Sequence, residues 1–317
     1  MLATLIAHLH QSLGILHKQD IQTAAHYLSS SLISLGDDCA AIPDGDGYLL
    51  LASEGILPTF LEAEPWFAGW CAVMVNVSDI AAMGGRAIAV VDTIWSQSTE
   101  ITQPIWEGMK AAASAYNVPI VGGHTNCHSP YNALSVAILG RATHLITSFN
   151  ARSGDVLLVV IDFQGEFYHR FPFWNASTTA DPVQLQKKIE ILPFLAESGL
   201  CDAGKDISMG GIVGTLLMLL ETSNCGAVLN LDAIVPPDNI PLEQWLLSFP
   251  SYGFLLSVRP EKVASVQDCF HEQNLVCSAV GTVEEHHQLV LKLGNESAVF
   301  WDISTRSLMG FSAEGKR

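Results

Sequence analysis

WFAGWCAVMVNVSDIAAMGG, residues 66–85, is the stretch on which the reading of the fold turns. Its length and its small residues are those of a helix, and Gly84-Gly85 supplies the stop. Asn76 and Asp79 interrupt an otherwise apolar run, and their i, i+3 spacing puts them on one helix face. An acid buried without a partner is costly, so Asp79 needs a cation or a dense set of hydrogen-bond partners. The polar breaks and the Gly-Gly end mark a buried helix and not a membrane span.

On the N-terminal side, residues 1–30 read as one or two short helices. LISLGDDCAAI (32–42) then gives an apolar run, a Gly turn, the acids Asp37 and Asp38, and a second apolar run. PDGDG (43–47) is a turn and YLLLAS (48–53) a strand. On the C-terminal side, AIAVVDTIW (87–95) is a strand and PIWEGMKAAASAYN (104–117) a helix. VPIVGGHTN (118–126) runs from strand into a Gly-Gly turn, and ALSVAILGRAT (133–143) is another strand. A Ser153-Gly154-Asp155 turn before the apolar VLLVVID places a domain boundary near residue 150, giving domains 1–149 and 150–317. Beyond it the pattern predicts helices over 183–198, 209–223 and 260–273, with strands over 226–232, 253–258, 277–283 and 288–293. Helices and strands mix in both halves with no fixed repeat, so the expected class is α+β or α/β in two domains.

Composition narrows the partners. Of the 317 residues, 49% are apolar and 15% charged, enough for sizeable cores. Acids outnumber bases 32 to 15, and the net charge of −17 argues against nucleic acid or an anionic membrane surface. The seven cysteines are scattered and form no C-x-x-C pair, which points to a reducing compartment. MLATLIAHLHQSLG lacks the basic flank and apolar core of a signal peptide, so the expected location is the cytoplasm.

Several acids await a common explanation. Asp37 and Asp38 sit at a Gly turn, Asp79 lies inside the apolar helix, and Asp206 and Ser208 stand at a Gly-rich helix start. Each turn or helix-start acid alone reads equally well as a turn residue or an N-cap. One hard-cation site would account for them together, because Mg²⁺ takes oxygen ligands and is shared between carboxylates and substrate phosphates. Gly122-Gly123 would expose backbone N–H groups to a phosphate. The sequence holds no P-loop, no G-x-G-x-x-G fingerprint and no kinase-type catalytic loop, so any use of ATP must run through metal-bridged carboxylates. His124-Thr-Asn-Cys127-His128 invites zinc, but no second ligand cluster stands nearby. Cys39, Cys127 and Cys201 neighbour these motifs and could supply a thiol, although buried apolar filler is the plainer reading.

At these residues the sequence resembles the superfamily of aminoimidazole ribonucleotide (AIR) synthetase, thiamine-monophosphate kinase and selenophosphate synthetase. Gly36-Asp37-Asp38-Cys39-Ala40 is similar to the kinase's Gly-Asp-Asp-Ala-Ala, and NVSDIAAMGG to the family's Asn-x-Ser-Asp-x-x-Ala-Met-Gly. Gly122-Gly123-His124-Thr125, Gly140-Arg141 and Asp206-Ile207-Ser208-Met209-Gly210-Gly211 match further family elements, in the family's order. The resemblance implies an α+β, two-domain AIR synthase-like fold, with an N-terminal β-rich dimerisation domain and a C-terminal α/β sandwich domain. It also implies a homodimer with ATP and Mg²⁺ at the dimer cleft. Carried over, Asp37, Asp38, Glu54, Asp79 and Asp206 are the metal-ligand candidates, and Asn76, Gly122, Gly123, Arg141 and Ser208 the nucleotide-binding ones.

The departures are as informative. Ala52-Ser53-Glu54 replaces the kinase's Thr-Thr-Asp, His124 replaces an acid after Gly-Gly, and Met209 replaces the second acid of Asp-Val-Ser-Asp. An imidazole is a poor ligand for Mg²⁺, so His124 is expected to act on the phosphates or the acceptor, as a hydrogen-bond donor or general acid/base. The implied function is a Mg²⁺-dependent, ATP-using enzyme that phosphorylates or activates a small metabolite. Two alternatives stand beside it, an ATP-dependent cyclo-ligase and a non-catalytic nucleotide-binding component of an enzyme complex.

Overall fold

The computed structural model describes residues 1–28 and 33–311. Leu32, the last two residues of the expected N-terminal helical stretch, and the terminal SAEGKR lie outside the described residues. In chain order, helices α1 (Leu2–Gln11), α2 (Leu13–Gln19) and α3 (Ile21–Tyr27) precede strands β1 (Ala40–Asp44) and β2 (Gly47–Gly55). Then come α4 (Pro58–Ala63), α5 (Pro65–Ala82), β3 (Arg86–Trp95), α6 (Thr99–Ala115), β4 (Ile120–Asn126) and β5 (Ala133–Ala142). The second half holds β6 (Val156–Ile161), β7 (Glu166–Phe167), β8 (Phe173–Asn175), α7 (Pro182–Ile189), α8 (Ile191–Glu197), β9 (Ala203–Asp206), α9 (Gly211–Ser223) and β10 (Gly226–Asn230). It closes with α10 (Leu242–Leu246), β11 (Phe249–Pro250), β12 (Gly253–Val258), α11 (Val263–His271), β13 (Val276–Glu284), β14 (Gln288–Leu293) and β15 (Glu296–Asp302). No helix among the described residues is long and apolar enough to cross a membrane.

Packing divides the chain into two compact units, each drawn from both sides of residue 150. One comprises Asp38–Leu145 with Ser177–Glu197, the other Met1–Asp37 with Ile146–Ala176 and Ser198–Arg317. A single cut near 150 misses this exchange. Leu2, Leu5 and Leu9, spaced along one face of α1, and Ile15 of α2 are buried with Leu216 and Leu217 of α9, which draws the N-terminus into the second unit. In the first unit, Gln186 donates to the Ala115 carbonyl at 2.9 Å, and Arg86 binds Glu190 and Glu197, tying α7 and α8 to their partners. The single helix expected over 183–198 is two, α7 and α8. Pro193 has no N–H to complete the ladder with the turn before it, so the helix breaks near Glu190.

The first unit is a five-stranded sheet, order β1-β2-β5-β3-β4, with α5 packed across β2, β3 and β5 and α6 packed on α5. Strand β4 runs parallel to β3 and forms one edge; α6 is the crossover that a parallel pair requires. On the face away from the helices, Leu51 of β2 lies directly opposite Leu139 of β5, and Val91 of β3 opposite Ala137. Leu51, Val91 and Leu139 are exposed, as is Val121 on the edge strand.

The second unit is a seven-stranded sheet, order β15-β14-β10-β13-β6-β12-β9, with a small sheet β11-β8-β7 beside it. Every residue of β12 is buried, and α9 is buried from Gly211 to Thr222. That accounts for the continuous apolar runs of both segments. Glu221 near the end of α9 is 1% exposed and accepts from the backbone N–H groups of Leu308, Met309 and Gly310, which fastens the chain's last described turn to the helix.

Helix α5 approaches α6 closely because both carry glycine at the crossing. A Cβ on Gly69 would overlap the carbonyl oxygen of Ile105, and one on Gly108 that of Trp66. Gly108→Ala is therefore expected to destabilise the protein by about 1–3 kcal/mol through overpacking. Chemical denaturation followed by circular dichroism checks this; a neutral outcome would show that the two helices can slide apart.

Candidate functional site

Helix α5 carries the first candidates. Its residues Phe67 to Ala82 are buried, including Asn76 at 0% exposure and Asp79 at 6%. Asn76 donates from Nδ2 to the Ala72 carbonyl at 2.8 Å, a bond within its own helix. Its Oδ1 has no hydrogen-bond partner among the described residues. One turn on, a carboxylate oxygen of Asp79 and one of Asp38 lie within 4.8 Å of each other. Two acids this close, one of them buried, could share a hard cation, which binds carboxylate oxygens and would offset their mutual repulsion.

Strand β4 holds the next group. Gly122 and Gly123 are both exposed, at the edge of the sheet. Gly123 pairs with Asp92 of β3, and a Cβ there would run into the Asp92 carboxylate, whereas a Cβ at Gly122 would meet nothing within 4 Å. The second glycine is thus demanded by a neighbouring side chain. His124 is exposed, with its ring 5.1 Å from that of Trp95. Arg141 on β5 is exposed and donates to Asp44 at 3.0 Å. Glu54, near the end of β2, is exposed as well.

In the other unit, Asp206 ends β9 at 5% exposure, and Ser208 opens the turn into α9. The Ser208 backbone N–H donates to Thr215 Oγ1 at 3.2 Å, and the Ser208 hydroxyl is buried without a hydrogen-bond partner among the described residues. Asp37 has a different setting. Its Oδ2 accepts from Thr147 Oγ1 at 2.7 Å and from the Ser148 N–H at 2.8 Å, and its Oδ1 lies 3.6 Å from the Lys205 ammonium. The Gly-Asp-Asp turn therefore gives its two acids different surroundings, Asp38 beside Asp79 and Asp37 beside a lysine.

Cysteine chemistry finds little support here. Burial pushes the Cys201 thiol up to about 12, and Cys39 is buried too. Cys127 is half-buried, 3.4 Å from Thr102 Oγ1. A thiol held neutral is a poor nucleophile and a poor zinc ligand.

Two residues of note escaped the sequence reading, Lys205 and Asp92. Asp92 is 3% exposed, and neither oxygen meets a hydrogen-bond partner on another residue among the described ones. Its signal was present: it sits at an inward position between Val90 and Ile94 in an apolar strand.

Both family models of the AIR synthase related proteins match, the N-terminal domain model over residues 36–142 and the C-terminal domain model over 152–294. The chain belongs to that family, and its two α+β domains have the AIR synthase fold. It is 59% identical to an uncharacterized protein of Synechocystis sp., over 99% of this chain and all of that one. It is 26% identical to thiamine-monophosphate kinase of Pyrococcus abyssi, over 83% of this chain and 87% of the kinase. Among solved structures, PurL of T. maritima complexed with ATP superposes with a TM-score of 0.70 at 20% identity, over 92% of this chain. This chain spans only about half of that PurL, 52% of its length.

Burial holds the Asp92 carboxyl above the usual carboxylate range; its own backbone N–H offsets part of the effect. A folded-state pKa above the unfolded one means that the unfolded chain gives up its proton first, so stability falls as pH rises from the unfolded pKa through the folded one. Asp92→Asn is expected to be more stable than the wild type at pH 7.5, with the gap closing toward pH 4. Thermal denaturation at the two pH values measures it. A gap that widens on acidification would mean that the carboxylate is held as an anion by a favourable partner.

Proposed function

We propose that this protein is a Mg²⁺-dependent, ATP-using enzyme that transfers a phosphoryl group to, or activates, a small metabolite. The observation that carries this reading is the buried Asp79 carboxylate with Asp38 within 4.8 Å of it. The buried, unpartnered oxygens of Asn76 and Ser208 add support, since each offers a ligand a hydrogen bond that no described residue takes. Names of relatives agree: a thiamine-monophosphate kinase transfers phosphate, and the matched PurL binds ATP.

In this reading Asp38 and Asp79 hold the ion, and Asp206 has the same role by its place in the family motif. The ion supplies charge neutralisation at the phosphates, which lowers the barrier to attack by an acceptor. On edge strand β4 every second residue turns its backbone N–H outward, so one of Gly122 and Gly123 offers a hydrogen bond to the nucleotide. The exposed Arg141 guanidinium contacts a phosphate, and exchanges Asp44 for it. His124, exposed and flanked by Trp95, donates a hydrogen bond or moves a proton at the acceptor. Glu54 is retained as an outer ligand, one methylene longer than the kinase's acid.

Asp79→Asn keeps the size of the side chain and removes its charge. Nucleotide binding in Mg²⁺ is expected to weaken by on the order of 2–4 kcal/mol, while His124→Ala keeps Mg²⁺-dependent binding and loses turnover. Calorimetry with ATP in Mg²⁺ and in chelator measures both variants. Unchanged affinity in a folded Asp79→Asn protein would make Asp79 structural. ATP bound tightly by the wild type with no turnover across a metabolite panel would favour the non-catalytic reading.

We also propose a homodimer, formed through the open face of the five-stranded sheet. Leu51, Val91 and Leu139 present an apolar stripe on the face opposite α5, and a second copy of the same stripe would cover it. Sedimentation is expected to give twice the 34.2 kDa chain mass at micromolar protein. Leu51→Asp with Val91→Asp should give the monomer, and a wild type that sediments as a monomer removes the proposal.

A further inference from the structure

Lys205 lies on β9, at the edge of the seven-stranded sheet, and its side chain is 1% exposed. A lysine so deeply buried is rare unless it is paired. Its partner is the equally buried Asp37, with the ammonium 3.6 Å from Oδ1. The other oxygen of Asp37 accepts from Thr147 Oγ1 and from the Ser148 N–H. The carboxylate that the Gly-Asp-Asp turn nominates as a metal ligand thus meets a fixed positive charge and two donors, all supplied by the chain.

A buried ion pair seldom adds net stability over a well-packed apolar pair, so stability alone does not explain why this one is kept. Its geometry suggests another purpose. A hard cation would approach the same oxygens and bring the same sign of charge. An ammonium on a strand does so permanently, with no ion to bind or lose.

We propose that Lys205 is a built-in cation standing where a divalent ion would otherwise sit on Asp37, so that the protein binds one ion fewer than its acidic motifs suggest. Asp37 is then a positioning residue, and the ion is left to Asp38 and Asp79. The corollary is a chain whose ion count is set by a strand residue that touches neither nucleotide nor acceptor. This inference rests on reading the Asp38–Asp79 pair as a cation site.

The test counts ions on the full chain, with Mn²⁺ alone as the probe and no nucleotide. Free Mn²⁺ is measured by electron paramagnetic resonance at increasing metal. Lys205→Met is expected to bind one Mn²⁺ more per chain than the wild type, and Lys205→Met with Asp37→Asn to return to the wild-type number. Equal stoichiometry in wild type and Lys205→Met overturns the proposal. Should Lys205→Met unfold in chelator, excess Mn²⁺ must restore its circular dichroism and thermal transition; failure to restore them overturns it equally. The two readings separate in one data set. A wild type that binds no Mn²⁺ removes the Asp38–Asp79 site, and the difference between wild type and Lys205→Met still decides the role of the lysine.

Discussion

The cost of keeping an acid away from water governs this protein. Asp79 is 6% exposed on a helix whose other residues, Asn76 apart, are apolar or small, and its carboxylate has another within 4.8 Å. At that separation two unit charges repel by roughly 3 kcal/mol at an effective dielectric of about 20. Such an arrangement persists only if something positive or strongly hydrogen-bonding meets it, and only if the helix cannot roll the acids out to solvent. The second condition is met by packing. Gly69 and Gly108 let α5 and α6 touch backbone to backbone, and α5 lies across three strands of its sheet. The placement of this acid thus depends on a helix crossing nearly three turns away.

The second unit handles its buried acids from within. Asp155 is matched by the Arg259 guanidinium and the Ser257 hydroxyl, and Glu221 by three consecutive backbone N–H groups. Asp37 belongs to this group, with Lys205, Thr147 and the Ser148 N–H around it. Asp92 of the first unit has no comparable set. Its carboxyl lies over Gly123 and costs stability wherever it is ionised. Burial alone therefore does not sort the acids.

Much of this was legible in the residues, and the reason differs by element. The helix at 65–82 was readable from its near-uniform apolarity, and Asn76 and Asp79 within it stood out for the same reason. Strands β12 and β14 were readable because they are runs of β-branched and apolar residues between turns. The break at Glu190 was available in Pro193 but masked by the apolar period on either side. The described part of the run before Gly36, Ile33 to Leu35, is irregular backbone and not a strand, since apolarity alone does not make a ladder. Strand β15 lies beyond the last strand expected from the sequence, across a turn at Gly294. Lys205 was invisible because a lysine in the polar CDAGKDIS stretch reads as surface, and only the structure shows that residues 203–206 form a buried strand. Units that exchange segments could not be read at all, since which helix fills which core depends on packing and not on local pattern.

The positions where this chain departs from the kinase pattern follow from the same physics. Glu54 and His124 stand on β2 and β4 in contact with water, where solvent screens whatever charge is added or removed. Of the motif acids that are kept, Asp79 and Asp206 are 6% and 5% exposed. A charge change at an exposed strand position shifts local energies by little, because water compensates it, so such positions are free to follow the acceptor. At a buried position no solvent compensates, and exchanging an acid for a neutral or basic group would leave the remaining acids with the wrong sum of charges. Lys205 is the informative exception: it is a buried charge that answers an acid already there, and so alters the sum without exposing either group.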